Sequence, residues 1–240
     1  ESVDLFLFKI DNLGNRIGGL VSVIENSPNP TNDMILTSDS NSLYLLHYLP
    51  PLQHLVYTYD QNLNQIGDVV VTSSSLPHNN MGGAVFMDGR GHLYIGNGDN
   101  CHWKPGLPID YRPGKKSWDA MRSAGNSQDL RGKILRIQPE EKGGYTIPKG
   151  NLFTDSKQGR LEIYAMGVRN PFRMTVDDTT GTLYFGDVGP NVFPELEIDP
   201  LGYDEINAAP KAGNFGWPLF IGPNEPYPVY DFDKNKVVAT

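Results

Sequence analysis

Apolar and polar residues alternate along this chain in short bursts, each closed by residues that favour turns. Met34-Ile35-Leu36-Thr37 leads into Asp39-Ser40-Asn41-Ser42 and returns as Leu43-Tyr44-Leu45-Leu46. Ala84-Val85-Phe86-Met87 leads into Asp88-Gly89-Arg90-Gly91 and returns as His92-Leu93-Tyr94-Ile95. Arg173-Met174-Thr175-Val176 leads into Asp177-Asp178-Thr179-Thr180-Gly181 and returns as Thr182-Leu183-Tyr184-Phe185. Each predicts a strand, a tight turn and a strand. Asp, Asn, Ser and Gly tolerate the backbone angles of a hairpin, and a Leu-Tyr pair suits a pleated, half-buried surface.

The hairpin recurs. Leu43 and Leu93 lie 50 residues apart, and Leu93 and Leu183 lie 90 apart with a long polar insertion between them. One antiparallel hairpin repeated every ~40–50 residues marks propeller blades. A β-sandwich would supply short strands and turns without repeating one hairpin at that spacing. The expected fold class is therefore all-β, a β-propeller, with roughly four to five blades at this spacing.

Asp4–Ile10, Leu55–Tyr59, Ile66–Val71, Lys133–Ile137 and Leu161–Ala165 are further predicted strands, the second and third joined as a hairpin through Asp60–Gln65. Residues 100–132 hold few apolar side chains and read as one long inserted loop, of the kind that is usually functional or mobile. Within it only Ser117–Ser123 suggests a short helix. No signal-peptide pattern precedes the first strand, and Val237-Val238-Ala239-Thr240 is not a recognisable closing strand. The chain is expected to be one propeller domain over 1–240 or a fragment of one.

Composition narrows the function classes. The 26 glycines and 19 prolines punctuate strands, and no apolar run approaches the ~18 residues of a membrane span. A net charge of −8 argues against nucleic acid, which needs a basic face. The single cysteine, Cys101, permits no internal disulfide, and beside His102 it lacks the spacing of a zinc site.

Three segments concentrate chemistry. Gly167-Val168-Arg169-Asn170-Pro171-Phe172 puts a guanidinium and an amide at a strand end where Pro171 halts pairing; alone it reads as a capped loop with a surface arginine. Asp187-Val188-Gly189-Pro190 and Tyr203-Asp204-Glu205-Ile206-Asn207 gather carboxylate and carbonyl oxygens of the kind calcium prefers; alone they read as acidic solvated loops. Gly213-Asn214-Phe215-Gly216-Trp217-Pro218 reads as packing.

In their order along the chain, these segments resemble a known family. Asp88-Gly-Arg-Gly-His-Leu-Tyr-Ile-Gly-Asn-Gly-Asp99-Asn100, Leu130-Arg-Gly-Lys-Ile-Leu-Arg-Ile137, Gly167-Val-Arg-Asn-Pro171, Tyr203-Asp-Glu-Ile-Asn207 and Gly213-Asn-Phe-Gly-Trp-Pro218 look like the glucose/sorbosone dehydrogenases. These are six-bladed propellers that hold pyrroloquinoline quinone (PQQ) with calcium and oxidise sugars. Pro108–Gly114, Ser117–Ala120 and Gly150–Phe153 are similar to a branch found in large bacterial multidomain proteins. The resemblance covers about residues 76–230; residues 1–75 match only as generic blade sequence.

The resemblance implies a sugar or other small alcohol as substrate, hydride transfer to a calcium-bound quinone, an external electron acceptor and an extracellular or periplasmic location. It implies that Arg169 and Asn170 contact the quinone, that the Gly189 and Pro190 carbonyls hold calcium, that Asn100 faces the cofactor, and that Asp204 and Glu205 support the calcium. The family's general base is a histidine at the position where this chain has Asn80, a residue that takes no proton near neutral pH and would be left to face the cofactor. His78, two residues earlier, is the candidate base. Two rival readings stay open: a non-catalytic propeller binding carbohydrate or a protein partner, and a calcium-dependent lactonase-like hydrolase.

Overall fold

The computed structural model describes residues 3–10, 16–27, 35–38, 42–49, 53–60, 65–73, 83–101, 109–140, 144–191, 202–227 and 229–238. These residues form an all-β structure whose only helical turns, among those described, are two 3-10 turns at Lys116–Trp118 and Ala120–Arg122. No helix among them is long and apolar enough to cross a membrane.

Strands β1 (Val3–Ile10) and β2 (Arg16–Ser27) pair as a hairpin. Strands β3 (Ile35–Ser38), β4 (Ser42–Leu49), β5 (Gln53–Asp60) and β6 (Gln65–Ser73) form a four-stranded antiparallel meander. A third sheet runs β7 (Gly83–Met87), β8 (Leu93–Asn97), β9 (Lys133–Pro139) and β11 (Ile163–Met166), with β10 (Tyr145–Thr146) added to β9. A fourth runs β12 (Pro171–Asp177), β13 (Thr182–Asp187) and β14 (Glu205–Ala209). Strand β15 (Gly213–Asn214) returns to pair in parallel with β11. Two short hairpins follow, β16 (Phe220–Ile221) with β17 (Glu225–Pro226), and β18 (Tyr230–Asp231) with β19 (Lys236–Val237).

The three predicted hairpins are β3–β4, β7–β8 and β12–β13, and each Leu-Tyr pair falls on the second strand of its sheet. The Asp88 carboxylate accepts the Arg90 and His92 N–H groups at 3.0 and 2.8 Å. Asp177 caps its own turn by accepting from the Thr179 N–H at 2.9 Å. The Asp39–Asn41 turn lies outside the described residues. Leu93 and Leu183 are both fully buried, but Tyr94 is buried and Tyr184 exposed.

The difference between the tyrosines shows how the sheets stack. Both faces of the β7–β8–β9–β11 sheet are covered. One carries Val85, Leu93, Ile95, Leu135, Ile137 and Ile163, against which Leu152 and Phe153 pack. The other puts Tyr94, Ile134 and Tyr164 against Val176, Leu183 and Phe185 of the β12–β13–β14 sheet. At that second interface a Cβ on Gly96 would come within 2.8 Å of Met174 Cε and 3.1 Å of the Pro171 carbonyl oxygen, so the sheets approach to a distance only glycine permits. Strand β7 lies beside both β3 and β12, the first strands of the flanking sheets.

The predicted helix over Ser117–Ser123 is instead the two 3-10 turns, the second capped by the Asp119 carboxylate on the Met121 N–H at 3.1 Å. The strand predicted over Leu161–Ala165 is shifted to β11. The inserted loop is folded back on β9 by Lys133, whose Nζ donates to the carbonyls of Ser123, Ala124 and Arg131 at 2.7, 3.0 and 2.8 Å. An ammonium has three N–H donors and uses each here.

Burial pushes the Lys133 ammonium down to about 7. Its pKa is thus lower folded than unfolded, so between about 7 and the ordinary lysine value near 10.4 the unfolded chain binds more protons. The Lys133 contribution to stability therefore rises with pH across that window and is smallest below it. Thermal melts of wild type and Lys133→Met from pH 6 to about 10 test this. The gap between them should widen in favour of wild type as pH rises; a constant gap would refute it.

Candidate functional site

Strand pairing brings the chemistry-bearing segments together. Pro171 opens β12 opposite Asp187, the last residue of β13, and Asp187 in turn faces Glu205, the first residue of β14. The residues just before β12 and just after β13 therefore meet at one end of the sheet. The Asp187 carboxylate closes this corner by accepting the N–H of Arg169 at 2.9 Å and of Asn170 at 2.6 Å. The Val188 N–H returns a bond to the Asn170 carbonyl at 3.1 Å. Burial pushes Asp187 up to about 7, against the two N–H bonds that favour its charged form.

Asp99, just past β8, holds the same corner from the neighbouring sheet. Its N–H donates to the Arg169 carbonyl at 2.7 Å. Its carboxylate accepts the Cys101 N–H and the Trp217 indole N–H, each at 2.8 Å. Trp217 is placed by its own N–H on the Gly167 carbonyl at 2.9 Å. Gly167 has φ +67°, and a Cβ there would strike the Asn214 side chain.

The result is a small open cleft lined by Arg169, Asp187, Gly189, Pro190, Glu205 and Trp217 together with Gly167, Tyr203, Phe215 and Ile221. Arg169 is only 5% exposed. Its Nη1 donates to the carbonyls of Val188 at 2.9 Å and Gly189 at 2.6 Å. None of the ion pairs among the described residues includes it. The neighbouring Asn170 has a buried Oδ1 with no hydrogen-bond partner among the described residues. A buried guanidinium beside an unsatisfied amide oxygen is costly unless a polar ligand completes both.

Of the residues the sequence singles out, Arg169, Gly189, Pro190 and Glu205 line this cleft, and Asn170 adjoins Arg169 in the clamped turn. Asp204 shapes the cleft's edge: its carboxylate accepts the Gly189 N–H at 2.9 Å. Glu205 accepts the Gly222 N–H at 2.7 Å and the Asn207 side-chain amide at 3.0 Å. Gly189 is required, because a Cβ there would run into the Tyr203 carbonyl. Asn100 is buried beside Asp99 with φ +58°, and its Oδ1 accepts from Arg131 at 3.2 Å; it is not among the lining residues. His78 and Asn80 lie outside the described residues. No group of three or more His, Cys, Asp or Glu side chains gathers to hold a metal among the described residues. The oxygens around Gly189 are the Val188 and Gly189 carbonyls, both held by Arg169, and the Asp204 carboxylate.

Sequence reasoning missed the parts played by Asp99, Asp187 and Trp217. Asp187 stood at the head of a quoted motif, and Trp217 in a segment read as packing. What they do depends on partners far along the chain.

The sequence profile of the glucose/sorbosone dehydrogenases matches residues 52–230. The chain belongs to the glucose/sorbosone dehydrogenase family. It is 30% identical over 141 residues to the aldose sugar dehydrogenase YliI of Escherichia coli, covering 59% of this chain and 29% of that protein. It is 28% identical over 179 residues to the HIPL2 protein of Arabidopsis thaliana, covering 69% of this chain and 22% of that one. The chain thus spans less than a third of each curated relative. A glucose dehydrogenase-type oxidoreductase of Thermus thermophilus shares its fold with a TM-score of 0.60 at 24% identity, over 87% of this chain and 59% of that one. The soluble aldose sugar dehydrogenase of Escherichia coli in its apo form follows with a TM-score of 0.51 at 24% identity, over 76% of this chain and 46% of that one. Membership in the glucose/sorbosone dehydrogenases matches the resemblance legible in the motifs.

Proposed function

We propose that this chain is the blade-bearing part of a PQQ-dependent dehydrogenase that oxidises a sugar or other small alcohol and passes electrons to an external acceptor, outside the cell or in the periplasm. The observation that carries the reading is the Arg169–Asn170 turn: a buried guanidinium without a carboxylate partner among the described residues, next to a buried amide oxygen without a hydrogen bond. That pair suits a ligand bearing both carboxylates and polar hydrogens. The propeller reading draws support from first strands β3, β7 and β12 lying side by side while one sheet is buried on both faces. A sandwich would have one shared core.

The residues present fit the quinone. Arg169 and Asn170 would hold it, and Asn100 and Asn80 are the further candidates for contact with it. The Gly189 and Pro190 carbonyls would hold calcium, and Asp204 and Glu205 would support that loop. When bound, PQQ supplies a hydride acceptor and calcium a Lewis acid that polarises its carbonyl. The protein's part is orientation and proton transfer. Asp187 and Asp99 keep the Arg169–Asn170 backbone in place, Trp217 walls the cleft, and His78 takes the proton of the substrate hydroxyl.

Adding PQQ and calcium to the protein, recording the absorbance spectrum, and then adding an aldose with a dye acceptor tests this reading. Cofactor uptake with dye reduction is expected. Uptake without turnover would leave a binding propeller in its place, and lactone cleavage without uptake would leave a hydrolase.

A further inference from the structure

We infer that Arg169 is a built-in competitor for calcium: its guanidinium occupies the Gly189 carbonyl and must leave it before the ion can bind there. The inference rests on the reading of Gly189 as a calcium ligand. A single nitrogen, Nη1, donates to both the Val188 and Gly189 carbonyls, and its shorter bond, 2.6 Å, goes to Gly189. The charge is buried, and no carboxylate among the described residues pairs with it. The two nearby buried carboxylates are engaged elsewhere, Asp187 by the Arg169 and Asn170 N–H groups and Asp99 by the Cys101 N–H and the Trp217 indole. The carbonyl dipoles of the 188–189 turn therefore do the work a carboxylate would otherwise do for this cation.

Calcium on the same oxygen would sit against a like charge, and repulsion between charges a few ångströms apart is strong where water is excluded. Ion and guanidinium thus compete for one carbonyl. An arginine prefers a carboxylate, which it meets with two parallel bonds. A ligand carrying carboxylates draws Arg169 off Gly189 and frees the oxygen. Calcium and an anionic quinone are then coupled through one side chain, each favouring the other.

Calcium alone, without quinone, is titrated calorimetrically into the full chain as wild type, Arg169→Met and Arg169→Gln, with thermal melts confirming that each is folded. Terbium luminescence excited through Trp217, which lines the cleft, locates the ion. Both neutral variants should bind calcium about 5- to 150-fold more tightly than wild type, the usual span of a coupling between sites. Equal or weaker binding overturns the inference. If wild type and variants bind no calcium with or without PQQ, the calcium site itself falls and the inference with it. If wild type binds calcium in the presence of PQQ but the variants gain nothing in its absence, only the inference falls. A wild-type measurement covers variants that fail to fold: the Arg169 Nε–H resonance should shift as calcium saturates, and a resonance that stays in place overturns the competition.

Discussion

Replacing Arg169 with alanine should weaken PQQ binding by on the order of 10²- to 10³-fold. Truncating one partner of a buried, hydrogen-bonded charge pair costs about 2–5 kcal/mol, and each ~1.4 kcal/mol is a factor of ten. Arg169 qualifies because it is 5% exposed and sits in a turn clamped by Asp187 and Asp99. The backbone that carries its fork is therefore fixed, and the guanidinium has only to turn from the Gly189 carbonyl to the ligand's carboxylates. The loss should appear as a raised dissociation constant in a quinone titration followed by tryptophan fluorescence, for which Trp217 in the cleft wall is a local reporter. An unchanged constant would remove Arg169 from the cofactor site. The same truncation is expected to strengthen binding of calcium alone, so the two ligands respond in opposite directions to one substitution.

His78→Ala should lower turnover about 10²- to 10⁴-fold while leaving PQQ binding nearly intact, because a positioned base acts on the transition state and not on the cofactor. The substrate hydroxyl must lose its proton as hydride leaves carbon. A neutral imidazole with an ordinary pKa of ~6.5 suits that task, whereas the carboxamide of Asn80 does not. Turnover unmoved by His78→Ala would show that the base is elsewhere.

The strands were the most legible feature, for a local reason. Alternation with period two and turn residues at each end are properties of a few neighbouring positions, so β7–β8 and β12–β13 fall where Ala84–Ile95 and Arg173–Phe185 predict them. The inserted loop was legible as a loop but not as structure. Its 3-10 turns and the Lys133 anchor depend on carbonyls at 123, 124 and 131 being folded back on β9, which no local pattern records. Leu93-Tyr94 and Leu183-Tyr184 show the same limit: identical pairs in the sequence, with one tyrosine buried against a neighbouring sheet and the other exposed.

The site divides along the same line. Residue type and order survive in one dimension, so Arg169, Asn170, Gly189 and Glu205 could be read from segments that resemble the glucose/sorbosone dehydrogenases. Folding brings Asp187, 18 positions from Arg169, and Asp99, 118 positions from Trp217, to hold those segments in one corner, and it rests the arginine on the Gly189 carbonyl. A buried charge is defined by what surrounds it. Carboxylates and carbonyls are common along any chain, and which of them reaches a given guanidinium or N–H depends on strand register and sheet packing, contacts made across long sequence separations.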